Sequence, residues 1–195
     1  MLAHLERHRA ALQRGATVGV VGGVLGAVVM AMYAMAVSAA VKDVGFFTPL
    51  YHIASAFISP TAMMTSMGQA AHGDSIYFTA GPAIVGLIVH MMTGAVAGGV
   101  FGALVGWIRP ARTVTVAAGA AFGLLVMVLN AFIGLPIVAG LFGGGKPISD
   151  MPTMVGWGTF TIEHLLFGLV LGAVVALKVA GPSFATDRPL AARAA

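Results

Sequence analysis

Cysteine is missing from all 195 residues, which excludes disulfides, thiolate metal sites, covalent haem attachment and cysteine nucleophiles and leaves the redox compartment open. Charge is nearly as scarce, with six acidic and ten basic side chains making up 8% of the chain. Soluble domains carry about 25% charged residues, so an ordinary water-facing surface is excluded. No polar stretch is long enough for a separate soluble domain, and the chain reads as a single domain covering 1–195. Apolar residues fill the space, at 59% of the chain with a mean hydropathy of +0.98.

Four stretches without Lys or Arg are long enough to cross a bilayer, since a spanning helix needs about 20 mostly apolar residues. They cover 15–41, 81–108, 113–142 and 153–177. An all-α integral membrane four-helix bundle is therefore expected. The net charge of +4 does not mark a nucleic-acid surface, because the basic residues sit at the ends of the spans. Arg7, Arg9 and Arg14 precede the first span, Arg109 and Arg112 separate the second and third, and Lys178, Arg188 and Arg193 follow the fourth. Only Lys42 and Lys146 fall in the other two loops. The positive-inside rule then puts both termini in the cytoplasm. The lipid bilayer is the implied partner, with a second copy or another membrane protein as further candidates.

The opening MLAHLERHRAALQRG reads as a solvated topology signal, or alternatively as a basic helix on the inner leaflet. The apolar run behind it far exceeds the roughly 7–15 residues of a signal-peptide core and is retained as a span. In the first external loop, Thr48-Pro49 and Ser59-Pro60 resemble an N-cap followed by proline at the first helical position. Two short helices lying on the outer face are expected there, with Phe46, Phe47, Tyr51 and Phe57 at the interface. Met63, Met64, Met67 and His72 offer soft ligands suited to Cu(I), although methionine at helical spacing is ordinarily packing material. The short turn Arg109-Pro110-Ala111-Arg112 makes the second and third spans antiparallel neighbours. Pro136 kinks the third span or ends it early, and 143–147 reads as a flexible turn. Residues 179–195 are Ala- and Pro-rich without a hydrophobic period and read as a disordered tail.

Within the second span, His90 is followed by Gly94, Gly98, Gly102 and Gly106 at every fourth position, and in the fourth span His164 is followed by Gly168 and Gly172. Small residues at this spacing let helices approach closely in lipid, while ionisable residues inside a span face the interior. Aligning the first span with the third pairs Gly26 with Gly123, Met30 with Met127 and Tyr33 with Asn130. Together with the pairing of His90 and His164, this suggests a duplicated two-helix unit. At a 1.5 Å rise, Tyr33, His90 and Asn130 each lie roughly 27–28 Å from the arginines at the cytoplasmic ends of their spans. A shared polar layer of Tyr33, His90, Asn130, Glu163 and His164 follows. Glu163 is the only carboxylate well inside a span, and its candidate partners are His90, Tyr33 and Asn130.

Three uses of the layer are open. A structural or accessory role through interhelical hydrogen bonds is favoured. A haem b or metal-ion site held by His90 and His164 is the alternative, since two histidines on different helices of a bundle can ligate such a group. A proton or small-solute conduit is the third. No nucleophile stands beside a base and no acids are paired, so a hydrolase or transferase is not expected.

The string GFFTPLYHIASAF, followed by GLIVHMMTGAVAGGVFG, resembles small bacterial four-span inner-membrane proteins, loosely the YagU-like group. The likeness covers the first loop and second span best and extends to the fourth span through HLLFGLVLG. It implies a multi-pass protein of the bacterial cytoplasmic membrane. No activity is established for that group, so it assigns no functional residue.

Overall fold

Between apolar helices in lipid there is no hydrophobic driving force, so association rests on how closely backbones can approach. The computed structural model describes the backbone of residues 2–180 and the side chains of residue 6 and residues 8–180. In it, glycine sets that approach. Helix α1 (Leu2–Ala40) packs antiparallel on helix α4 (Ala80–Ile108), with Gly15, Gly19 and Gly23 against Gly106, Gly102 and Gly98. A Cβ on Gly98 would lie 2.7 Å from the Cα of Gly23, and one on Gly102 would lie 2.7 Å from the Cα of Gly19. Helices α5 (Arg112–Leu129) and α9 (Trp157–Lys178) meet in the same way. There a Cβ on Gly123 would sit 2.9 Å from the Cα of Gly168.

Helix α1 has a second glycine face, on which Gly22 and Gly26 receive Leu171, Val174 and Phe167 of α9. The order across the bundle is therefore α4, α1, α9, α5. This corrects the expectation drawn from the short turn. Helices α4 and α5 are joined through Arg109, which takes a left-handed conformation, yet they hardly touch. Their glycine faces are spent on α1 and α9 instead. At the end of the bundle where α4 turns into α5, Phe101 and Val105 of α4 pack with Phe167, Leu171 and Val175 of α9 into a closed apolar cluster.

Two spans are interrupted. The third runs through α5, a wide π-helical turn at Asn130–Gly134, and α6 (Leu135–Phe142). In that turn the Leu135 N–H reaches five residues back to the Asn130 carbonyl, immediately before Pro136. Proline lacks an N–H and clashes with the turn before it, and the extra residue of a π-turn makes room for the ring, so the span neither breaks nor stops. The fourth span starts later than expected. Residues 153–155 belong to α8 (Met151–Val155), which is cut from α9 by Gly156 at φ +87°. All four spans are long and apolar enough to cross a membrane, so the chain is an all-α, multi-pass membrane protein.

The other end of the bundle is roofed by α2 (Thr48–Ala54), α3 (Thr61–Ala71), α7 (Gly145–Ser149) and α8. Helices do form at both proline sites, but they start at Thr48 and Thr61, with Phe47 and Pro60 at the cap positions and no side-chain cap bond, and α2 does not lie on the surface. It is sunk against α4, where the backbone of Leu50 rests on Gly86. Tyr51, expected at the lipid interface, is 1% exposed; its hydroxyl donates to the Tyr77 carbonyl at 3.1 Å and accepts the Thr79 N–H at 2.8 Å. Of residues 143–147, expected as a flexible turn, 145–147 already belong to α7. The expected tail lies, from residue 181 on, outside the described residues.

Overpacking a close contact costs about 1–3 kcal/mol, whereas alanine in an open helical position is favoured over glycine by up to about 1 kcal/mol. Gly98→Ala should therefore lower the unfolding temperature in detergent. Gly140→Ala, whose Cβ meets nothing within 4 Å, should leave it unchanged or raise it.

Candidate functional site

Because α4 and α5 part beyond their turn, a chamber of about 660 Å³ remains at the roofed end of the bundle. Its walls are largely apolar, including Met30 and Ala34 of α1, Val89 of α4 and Val138 of α6, and Leu50 and Ile148 line it from the roof. Polar side chains converge on it from four elements: Lys42 from the end of α1, His90 from α4, Asn130 from the π-turn, and Glu163 and His164 from α9.

Each polar group is held by local backbone geometry. His164 is 3% exposed; its Nδ1–H donates to the Phe160 carbonyl one turn earlier at 2.8 Å, and its ring lies 4.4 Å from the Phe160 ring. That donation fixes the tautomer, leaving Nε2 as an acceptor. His90 uses Nε2–H to reach the Ala27 carbonyl on α1 at 3.0 Å, which leaves its Nδ1 as the acceptor. Glu163 is 5% exposed, and its Oε1 is buried without a hydrogen-bond partner among the described residues. The Asn130 amide lines the chamber and likewise forms no side-chain hydrogen bond among the described residues.

His90, Asn130 and His164 also border a second void of about 50 Å³ immediately beneath. These three side chains thus form the floor of the chamber, over a space fit for about one water. Below that, the cluster around Phe101 and Leu171 is closed.

Of the residues singled out in the sequence, His90, His164, Asn130 and Glu163 share the chamber, and Tyr33 does not. The reason is register. Gly94 packs on Gly23 and Ala27, and Gly168 packs on Gly119 and Gly123, so the two pairs superimpose with Ala27 matching Gly123. The counterpart of Asn130 is then Ala34, which does line the chamber. Aligning Gly26 with Gly123 is one residue out, and one residue rotates a helical side chain by about 100°. Gly94, Gly98, Gly102 and Gly168 all make the close backbone contacts described above, and Gly172 packs on the backbone of Val116 and Gly119.

The soft-ligand set of the first loop is not assembled. Met63 and Met67 face the chamber, whereas His72 follows α3 and is exposed. Among the described residues no three His, Asp or Glu side chains are grouped to hold a metal ion. A haem between His90 and His164 meets a further obstacle, since the His90 Nε2 is committed to the Ala27 carbonyl.

Two chamber residues escaped the sequence reading. Lys42 was visible only as one of two basic residues in the outer loops; its Nζ would lie 2.9 Å from a Cβ at Gly156. His52 sits in α2 at 5% exposure, and its Nε2–H donates to the Pro147 carbonyl at 2.5 Å, tying the first loop to α7. Burial pushes the His52 pKa below the usual histidine range, and the carbonyl partner offsets this in part.

No family model, no curated protein and no solved structure matches the chain.

With its folded pKa depressed, His52 contributes fully to stability above its unfolded pKa of about 6.5, and that contribution is lost as pH falls towards the folded value. Melting between pH 7.5 and 5 should show a declining acid limb. His52→Gln keeps a donor for Pro147 but does not titrate, so its acid limb should be shallower. His52→Phe should lose about 1–3 kcal/mol at pH 7.5 by leaving a buried carbonyl unpaired.

Proposed function

We propose that this is a multi-pass protein of the bacterial cytoplasmic membrane that holds a small molecule in a chamber at the outer end of its bundle. One observation carries the reading: a mostly apolar space of about 660 Å³ into which buried polar groups converge without satisfying one another. Ligand sites of about 300–1,000 Å³ have this composition, apolar walls with a few placed polar groups. A structural polar layer would pair its members. Here His164 bonds its own helix, His90 bonds a backbone carbonyl, and the Glu163 Oε1 bonds nothing among the described residues. The closed cluster beneath the floor speaks for a one-sided chamber and against a conduit through the bundle.

The distribution of basic residues supports an orientation with both termini cytoplasmic and the chamber outside, and the YagU-like resemblance supports the bacterial membrane. Reporter fusions at Gly144 and at Pro110 should report opposite compartments, with Pro110 cytoplasmic. Both on one side would overturn the topology.

Occupancy is tested separately with an alkyl diazirine, whose carbene inserts readily into carboxyl groups. Photolysis in membranes followed by mass spectrometry should find the label on Glu163, which only the chamber makes reachable. Ala34→Phe, which fills the chamber, should abolish it. An unlabelled Glu163 in the unmodified protein would end the chamber reading.

A further inference from the structure

The floor of the chamber has a one-sided hydrogen-bonding character. His164 and His90 each spend their ring N–H on a backbone carbonyl, so both turn a lone pair to whatever approaches the other nitrogen. The Glu163 Oε1 is a buried acceptor without a partner among the described residues, and Asn130 adds an amide oxygen together with the one donor group of the floor, its NH2. Acceptors therefore outnumber donors, and a buried acceptor left unmatched is costly. The Asn130 NH2 alone does not match them all, and no other donor side chain lies within the floor. Lys42 lines the same chamber and its charge acts on Glu163, but among the described residues no hydrogen bond or ion pair joins the two, and its Nζ rests against Gly156, a helix rise of about 10 Å from residue 163.

We propose that the chamber binds a primary ammonium carried on an apolar body, with Glu163 as its anchor and His164 and Asn130 as further acceptors. This rests on the chamber reading above. A primary ammonium has three N–H donors and no acceptor, which complements the floor. The Phe160 ring beside His164 also lines the chamber and places an aromatic group near a bound cation. The apolar remainder of the ligand lies along Met30, Val89 and Val138. Thr93 of α4 is exposed and yet lines the chamber, and α4 and α5 hardly touch, so the space opens sideways between these helices, towards the bilayer. An amphiphile dissolved in the membrane reaches the floor by this route, ammonium first. The same chemistry is offered by a free alkylamine and by an aminophospholipid head.

The test uses the full chain in phosphatidylcholine nanodiscs, with unfolding followed by the fluorescence of Trp107 and Trp157. Decylamine, 1-decanol and decyltrimethylammonium are added at equal membrane concentration. Decylamine should raise the midpoint by about 3 °C or more near 100 times its Kd, while the alcohol, and the quaternary ion that lacks N–H groups, should give less than half that shift. Glu163→Gln should weaken decylamine about tenfold or more. Equal shifts from all three probes would overturn the proposal, whether or not the Gln variant folds, and so would a folded Glu163→Gln that binds decylamine as tightly as the unmodified protein. If diazirine labelling of Glu163 succeeds while decylamine gives no shift, the chamber stands and the ammonium anchor falls. Replacing part of the phosphatidylcholine with phosphatidylethanolamine separates the sources. Competition with decylamine identifies the aminophospholipid as a ligand, and its absence supports a free amine.

Discussion

Backbone contact at glycine is the constraint on which the rest of this structure depends. In a bilayer, two helices gain from meeting only as far as their main chains can close on each other, and here that closeness is confined to two antiparallel pairs, α1 with α4 and α5 with α9. Helix α1 then turns a second small-residue face to α9 and unites the pairs. Once these contacts are made, α4 and α5 have nothing left with which to grip each other. The chamber is the geometric remainder of that choice, bounded by helices held tightly elsewhere and covered by the short elements of the two loops.

The polar side chains are subordinate to the same backbone. His90 reaches across to a carbonyl of α1, in register with the glycine contact of Gly23 and Gly94, so the imidazole orientation is inherited from the packing. His164 is oriented within its own helix by the Phe160 carbonyl, and the Phe160 ring covers it. Asn130 is swung into the space by the π-turn that accommodates Pro136. None of these groups needs another polar side chain to hold its place. They remain available to a guest.

Much of this was legible in the sequence because the bilayer imposes simple rules. Span lengths, the every-fourth-residue glycines and the inward direction of His90, His164 and Glu163 follow from helix geometry and the cost of exposing polar groups to lipid. The depth of α2 was not legible. Its TPLYHIA sequence mixes aromatic and polar residues as an interfacial helix would, and only the hydrogen bonds of Tyr51 and His52 to distant carbonyls show it to be a plug. Register was lost for a different reason. Glycine-, alanine- and valine-rich helices align almost equally well one residue apart, so pairing Tyr33 with Asn130 looked as good as pairing Ala34 with it, and only the contacts of Gly94 and Gly168 decide between them. The role of Lys42 depended on where Gly156 breaks the chain, a φ of +87° that no periodicity signals.

The distribution of floor groups over the spans bears on how the protein is made. His90, Asn130 and the Glu163–His164 pair come from the second, third and fourth spans, so no partial product of synthesis contains the floor. In chain order α1 and α4 both precede α9, the helix that brings the carboxyl into the bilayer. On α9 alone His164 keeps its bond to the Phe160 carbonyl, whereas Glu163 has only lipid and a neighbour that points away. Docking against Gly22 and Gly26 of α1 removes both from lipid in one step. The second glycine face of α1 is therefore the surface on which the span carrying Glu163 and His164 joins the pair of α1 and α4.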